Sequence, residues 1–182
     1  MTNALFKNRY RPKTIRLPRH NYGRVGMYFV TICTHQRSHY FGQVVGDRVV
    51  LSAIGQIAHD NWQAIPNHHH RYVALDAFVI MPNHMHGLIQ ITKLSENPDQ
   101  GQATVNRFGP LQKGSLQAIV QSYKASVTRA CRRKGNNDFK WQPRFYEHVV
   151  RHNGSLNRIR QYIVNNPRKW SLDRNNSLGL WM

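Results

Sequence analysis

Long apolar runs, cysteines and acidic residues are what this 182-residue chain has least of. No window approaches the ~18 consecutive apolar residues of a membrane span, which argues against an integral membrane protein. The N-terminal stretch, with Lys7, Arg9, Arg11, Lys13, Arg16 and Arg19, lacks the apolar core of a secretory signal, so a soluble protein of the cytoplasm is expected. Two cysteines, Cys33 and Cys131, make neither a disulfide framework nor a zinc quartet. Acids number 8 against 26 Lys and Arg, a formal charge of +18. At roughly 100–200 residues per domain, the length supports one continuous core.

The excess positive charge is segregated. Residues 1–26 carry seven basic side chains and no acid, residues 27–106 four basic and five acidic, and residues 107–182 fifteen basic and three acidic. A near-neutral middle flanked by cationic segments is the electrostatic footprint of nucleic-acid binding. On charge alone, an enzyme acting on nucleic acid and a plain binding protein are equally well supported.

Local patterning predicts the elements. Residues 1–26, with Pro12, Pro18 and Gly23, read as a basic arm. Met27 to His35 is β-branched and aromatic and reads as a strand, and Val49 to Leu51 as a second, short one. Ser52 is a candidate N-cap for a helix over Ala53–Ile65 that Pro66 stops, with a polar loop over 67–71. Two strands, Tyr72–Met81 and His84–Thr92, flank a turn at Pro82-Asn83. Residues 93–114 form a long loop, and Ser115 caps a helix over Leu116–Lys134 that Gly135 ends. One strand is expected within 140–150, then a helix from a Ser155 cap to about Asn166, stopped by Pro167. The order suits an α+β fold. The expected core is a ferredoxin-like split βαβ, an antiparallel sheet with helices packed on it, plus the basic N-terminal arm and a C-terminal tail. The expected divisions are an arm over 1–26, one domain over 27–168 and a tail over 169–182.

His84 and His86 stand two apart on a strand, so their imidazoles leave one face while Met85 and Ile89 enter the core from the other. Such a pair is half of a metal site, or a chance spacing among eleven histidines. Tyr162 and Asn166 are neighbours at i and i+4 on the last helix. They offer a phenol nucleophile and a hard carbonyl oxygen, or merely a helix edge and a cap before Pro167. His68-His69-His70 diverge as consecutive residues and read as a solvated loop, Asp76 as structural, and Tyr123 as core. Tyr146 is a rival phenol and His148 a group that could touch DNA or brace the site. Four cations at the end of the long helix, Arg129, Arg132, Arg133 and Lys134, exceed what the helix dipole calls for and suit DNA-backbone contact. Arg9, Arg11, Arg16 and Arg19 could reach phosphates as an arm. Trp170 and Trp181 read as tail anchors or stacking platforms.

The run from Phe78 through Met81, Pro82, Asn83, His84, Met85 and His86 resembles the HUH motif, His–apolar–His, of the single-tyrosine transposase family. Gly26–Thr34 is similar to the family's first strand, Trp141–His148 to a later block, and Tyr162–Pro167 to the block of the REP-associated tyrosine transposases. The resemblance spans about residues 9–170.

That resemblance implies metal-dependent cleavage and strand transfer of single-stranded DNA at hairpin (REP-like palindromic) sequences through a 5′-phosphotyrosine. Tyr162 would be the nucleophile and His84, His86 and Asn166 the ligands of Mg²⁺ or Mn²⁺. Insertion-sequence relatives carry Gln where this chain has Asn166, which offers the same carbonyl from one methylene shorter. Three neutral ligands leave open positions for phosphate oxygens, and the covalent link conserves phosphodiester energy. The alternative on the same scaffold is a catalytically silent nucleic-acid-binding regulator. Insertion-sequence members are helix-swapped dimers and REP-associated members monomers, and the later blocks point to a monomer here.

Overall fold

The computed structural model describes residues 20–69, 72–93, 112–173 and 176. Arg9, Arg11, Arg16, Arg19, His70 and Trp181, and most of the long loop, lie outside them. The elements are β1 (Gly26–Cys33), β2 (Gly42–Val45), β3 (Arg48–Leu51), α1 (Ala53–Gln63), α2 (Ile65–His68), β4 (Val73–Met81), β5 (His84–Ile91), α3 (Leu116–Arg133), β6 (Tyr146–Val150) and α4 (Asn153–Val164). A 3₁₀ helix, Pro167–Leu172, follows α4. No helix among the described residues is long and apolar enough to cross a membrane.

Four strands form one sheet in the order β4-β5-β1-β6, every neighbouring pair antiparallel. β1 and β4 therefore run parallel on either side of β5, joined through α1. This is the split βαβ of the ferredoxin-like fold expected from the element order. Residues Val30, Ile32, Met85, Ile89 and Ile91 face α1 and α3 and build the larger core with Trp62, Ile119 and Tyr123. The opposite face carries a smaller cluster, Phe29, Leu88 and Ile163 of α4, with Ile159 and Leu156 packed against it.

Local chemistry accounts for most boundaries. Ser52 Oγ accepts the Gly55 N–H at 3.0 Å and Ser115 Oγ that of Ala118 at 3.3 Å, capping α1 and α3. Gly135, at φ +81°, takes the left-handed conformation that ends α3. Pro82 and Asn83 alone separate the paired Met81 and His84, so β4 and β5 form a tight hairpin.

Three expectations need correction. α1 and α4 end before Pro66 and Pro167 as expected, but each proline then sits in the first turn of a further short helix, where a missing N–H costs nothing. The 67–71 loop is thereby partly α2. Ser155 does not cap α4, which starts two residues earlier with His152 at the N-cap and no side-chain cap bond; packing of Leu156, Ile159 and Ile163 on the sheet sets this helix. The 42–45 segment pairs with β3 as a separate two-stranded sheet, its turn eased by Gly46 at φ +59°. At the end of the basic arm, Tyr22 is buried and its carbonyl accepts the Leu116 N–H at 2.9 Å.

Gly87 sets how closely α1 approaches the sheet. A Cβ there would lie 2.3 Å from Trp62 Cζ2, and Trp62 is fully buried. Gly87→Ala should destabilise the fold by about 1–3 kcal/mol through overpacking, read as a lower urea midpoint. An unchanged midpoint would mean that Trp62 has room to yield.

Candidate active site

β5 lies between β1 and β4, so the backbones of its histidines are held from both sides. His84 pairs with Cys33 and Met81, and His86 with Thr31 and Val79. Strand alternation sends both imidazoles to the α4 face, where both are buried. Their Nε2 atoms stand 3.0 Å apart. His84 Nδ1–H donates to Asn83 Oδ1 at 2.9 Å, since the amide oxygen only accepts, and this leaves Nε2 as the lone-pair nitrogen. Thr31 Oγ1 lies 2.8 Å from His86 Nδ1 and orients the second ring in the same sense. Phe29 stacks on His86 and Trp170 on His84, with ring centroids 5.4 and 5.9 Å apart.

α4 brings the third group. The exposed Tyr162 hydroxyl reaches 3.1 Å from His86 Nε2. One turn on, Asn166 is buried, and its Oδ1 has no hydrogen-bond partner among the described residues. A buried carbonyl oxygen left so is costly unless something electropositive meets it. The 3₁₀ helix then folds the chain back and delivers Asp173, whose Oδ2 is 3.9 Å from His84 Nε2. Ligand atoms of His84, His86 and Asp173 all fall within 4.8 Å of one another, a set that could hold a metal ion. Converging imidazole nitrogens, a carboxylate and an orphaned amide oxygen fit a divalent cation of intermediate hardness.

A cavity of about 640 Å³ opens over this cluster, lined by His86, Tyr162, Asn166 and Asp173 together with Arg158, Lys169 and Tyr146. The sequence-predicted quartet His84, His86, Tyr162 and Asn166 is thus brought together. Asp173, Arg158 and Lys169 were not anticipated. Arg158 was findable, standing four residues before Tyr162 on the same helix face; Asp173 had only its rarity as an acid to mark it.

The remaining candidates separate cleanly. Tyr123 is buried, donates to Ala58 O at 3.1 Å, and burial pushes its phenol far above the ordinary value. Tyr146 stays at the cavity rim, its ring 6.4 Å from Phe29. His148 is exposed on β6 opposite Phe29. His69 Nδ1 lies 3.1 Å from the Tyr72 hydroxyl. Burial raises the Cys131 thiol. Arg129, Arg132, Arg133 and Lys134 are exposed at the end of α3, on the side of the sheet away from the histidines.

Asp76 sits where the β4–β5 register shifts, between Leu75 and Phe78. Its carboxylate accepts from Arg160 Nε at 3.0 Å and Nη2 at 2.6 Å and also from the Ala77 N–H at 2.6 Å. This fork ties α4 to the sheet two residues before Tyr162. The hydrogen bonds from Arg160 hold the Asp76 carboxyl below its ordinary value.

No family model matches the chain. The solved structure of a REP-associated tyrosine transposase bound to a REP hairpin superposes with a TM-score of 0.57 at 20% identity, over 88% of this chain and 77% of that one. This chain therefore has the fold of that transposase. A Haemophilus influenzae protein described as uncharacterized is 34% identical over 165 residues, which cover 89% of this chain and 91% of that protein. The chain belongs to one family with it.

Because the folded-state pKa of Asp76 is depressed, its stabilising contribution is complete above the ordinary carboxylate value of 3.8 and fades as pH falls through the lower folded value. Asp76→Asn should lower the urea midpoint at neutral pH, and the gap to wild type should close only below that range. Equal midpoints at neutral pH would show that the fork contributes nothing to docking α4.

Proposed function

We propose that the protein is a metal-dependent tyrosine transposase of single-stranded DNA, cleaving and rejoining strands at hairpin-forming, REP-like palindromes. One observation carries the reading: a phenol hydroxyl 3.1 Å from a buried histidine pair, beside an orphaned amide oxygen. A structural role for Tyr162 would not call for its ring to stand half-exposed over converging imidazoles.

His84, His86, Asn166 and Asp173 would hold Mg²⁺ or Mn²⁺, which when bound supplies Lewis-acid stabilisation of charge on the scissile phosphate. The chain's own residues do the rest. Tyr162 Oη attacks phosphorus, forming the Tyr–O–P bond and breaking P–O3′. The phenol proton is released, and the departing 3′-oxygen takes one up. The products are a 5′-phosphotyrosine and a free 3′-hydroxyl, so the phosphodiester is exchanged rather than hydrolysed and rejoining needs no nucleotide cofactor. Arg158 and Lys169 at the cavity wall steady the phosphates on either side. Asp76 and Arg160 hold the attacking helix over its own sheet, which favours a monomer with Tyr162 acting in cis. Exposed Arg129, Arg132, Arg133 and Lys134, and Arg9, Arg11, Arg16 and Arg19 of the arm, provide backbone contacts with steep salt dependence.

The test is a denaturing gel of protein mixed with Mn²⁺ and a 3′-labelled single-stranded hairpin oligonucleotide taken from DNA flanking its gene. Wild type and Tyr146→Phe should give a slow, protein-linked band that Tyr162→Phe and chelation abolish. Tight binding with no such band in either metal would replace the transposase by a silent nucleic-acid-binding regulator. Thr31→Val, which removes the hydroxyl at His86 Nδ1, should raise the Mn²⁺ concentration needed for half-maximal adduct roughly 10–100-fold. An unchanged Mn²⁺ titration would show that this hydroxyl does not serve the metal site.

A further inference from the structure

On the face of the molecule away from Tyr162, a groove of about 540 Å³ runs between α3 and the segment that leads into β6. Its lining includes Arg129, Arg132 and Arg144 together with the half-buried rings of Trp141 and Phe145, and no acidic residue. None of these three arginines is ion-paired among the described residues. Lys124 serves differently. Its ammonium turns inward to donate to the Gln142 and Arg144 carbonyls at 2.8 and 3.2 Å, and lies 5.8 Å from the Trp141 ring centre. Trp141 Nε1–H in turn donates to Lys124 O at 3.1 Å. The 141–145 segment is thus braced against α3 from both sides.

Arg144 itself adopts φ +65°, the left-handed region that a glycine would enter without strain. An exposed arginine at such a position is a side chain kept at a backbone cost, the kind of local strain that accompanies a binding role. The chain also links this groove to the candidate active site. Arg144 and Phe145 line the groove, and the very next residue, Tyr146, lines the Tyr162 cavity on the other face. The turnover happens at β6, which is an edge strand of the sheet.

We infer that this groove holds unpaired nucleotides of the DNA strand being processed, which passes from it around the β6 edge to Tyr162. The inference rests on the DNA-strand reading above and adds a site to it. Duplex DNA would present phosphates and base edges here but no free base faces, because its bases are stacked on one another. A groove lined by three arginines and by the half-buried rings of Trp141 and Phe145 suits bases that are free to stack while their phosphates are neutralised. An acidic peptide would satisfy the arginines but make no use of the part of the Trp141 and Phe145 rings that the core leaves uncovered.

The experiment measures fluorescence anisotropy of the full chain in chelator, where no cleavage occurs. The probes are a labelled oligo(dT) of about 12 nucleotides, within the usual single-strand site range, and a blunt duplex of equal length. Arg144→Gly keeps the backbone conformation and removes the guanidinium. It should weaken oligo(dT) binding roughly 3–10-fold while leaving the thermal midpoint unchanged or higher. Arg129→Ala with Arg132→Ala should reduce the salt slope for oligo(dT) by about 1.4, at about 0.7 for each phosphate that is no longer neutralised. Duplex binding should change less in both variants. Wild-type affinity and slope in both variants, or equal losses for duplex, would overturn the groove as a single-strand site. Wild-type affinity for an acidic peptide equal to that for oligo(dT) would overturn it as well. Failure of the wild type to bind any unpaired oligonucleotide would instead defeat the DNA-strand reading itself.

Discussion

Everything at the candidate active site depends on the central position of β5. A strand hydrogen-bonded on both sides cannot slip by one residue without exchanging its two faces. Here such a slip would drive two imidazoles into the core and expose Met85 and Ile89. Gly87, placed between His86 and Leu88, adds a steric lock by letting Trp62 lie against the strand backbone. The 3.0 Å separation of the two Nε2 atoms is thus a consequence of sheet register and core packing rather than of attraction between the rings. Asn83 and Thr31 then select the orientation of each ring from behind.

The two faces of the sheet are unequally covered, and the inequality shapes the candidate site. α1 and α3 seal one side with a large apolar core that includes Trp62, Tyr123, Ile119 and Val127. On the other side α4 contributes Ile163 to a cluster of only three buried side chains, Phe29, Leu88 and Ile163. A thin apolar contact leaves room for the cavity beside it. It also means that polar links such as the Asp76–Arg160 fork carry a larger share of the docking of the tyrosine helix. A side chain held by a few specific contacts can be placed closely yet remain accessible from the cavity, as the half-exposed Tyr162 is.

Charge follows a similar division. Acids are scarce, and two of the eight sit beside groups of the candidate site or its supporting helix: Asp76 under Arg160 and Asp173 beside His84. Cationic residues occur on both faces, Arg158 and Lys169 at the cavity beside Tyr162 and Arg129, Arg132 and Arg144 at the opposite groove. The edge strand β6 is the short way between them.

The local code in this chain carried a great deal. Period-two alternation set the faces of His84, His86 and Met85, the Ser52 and Ser115 caps opened their helices, Gly135 closed one, and the element order specified a split βαβ. The i, i+4 spacing put Tyr162 beside Asn166. These are short-range rules, and residues a few positions apart obey them whatever the rest of the chain does. Where the outcome depended on distant partners, the local code misled or was silent. Pro66 and Pro167 each enter the first turn of a further short helix, an outcome that the reading of proline as a stop does not foresee. α4 starts at Asn153 without a side-chain cap because the sheet holds it. The meeting of strand histidines with helix phenol, the return of Trp170 and Asp173 over His84, and the bracing of Arg144 by Lys124 all join residues far apart in sequence or separated by a change of chain direction. Alternation and capping are energies of single segments, legible one segment at a time; a site is a closure among segments, and only tertiary packing decides which of them meet.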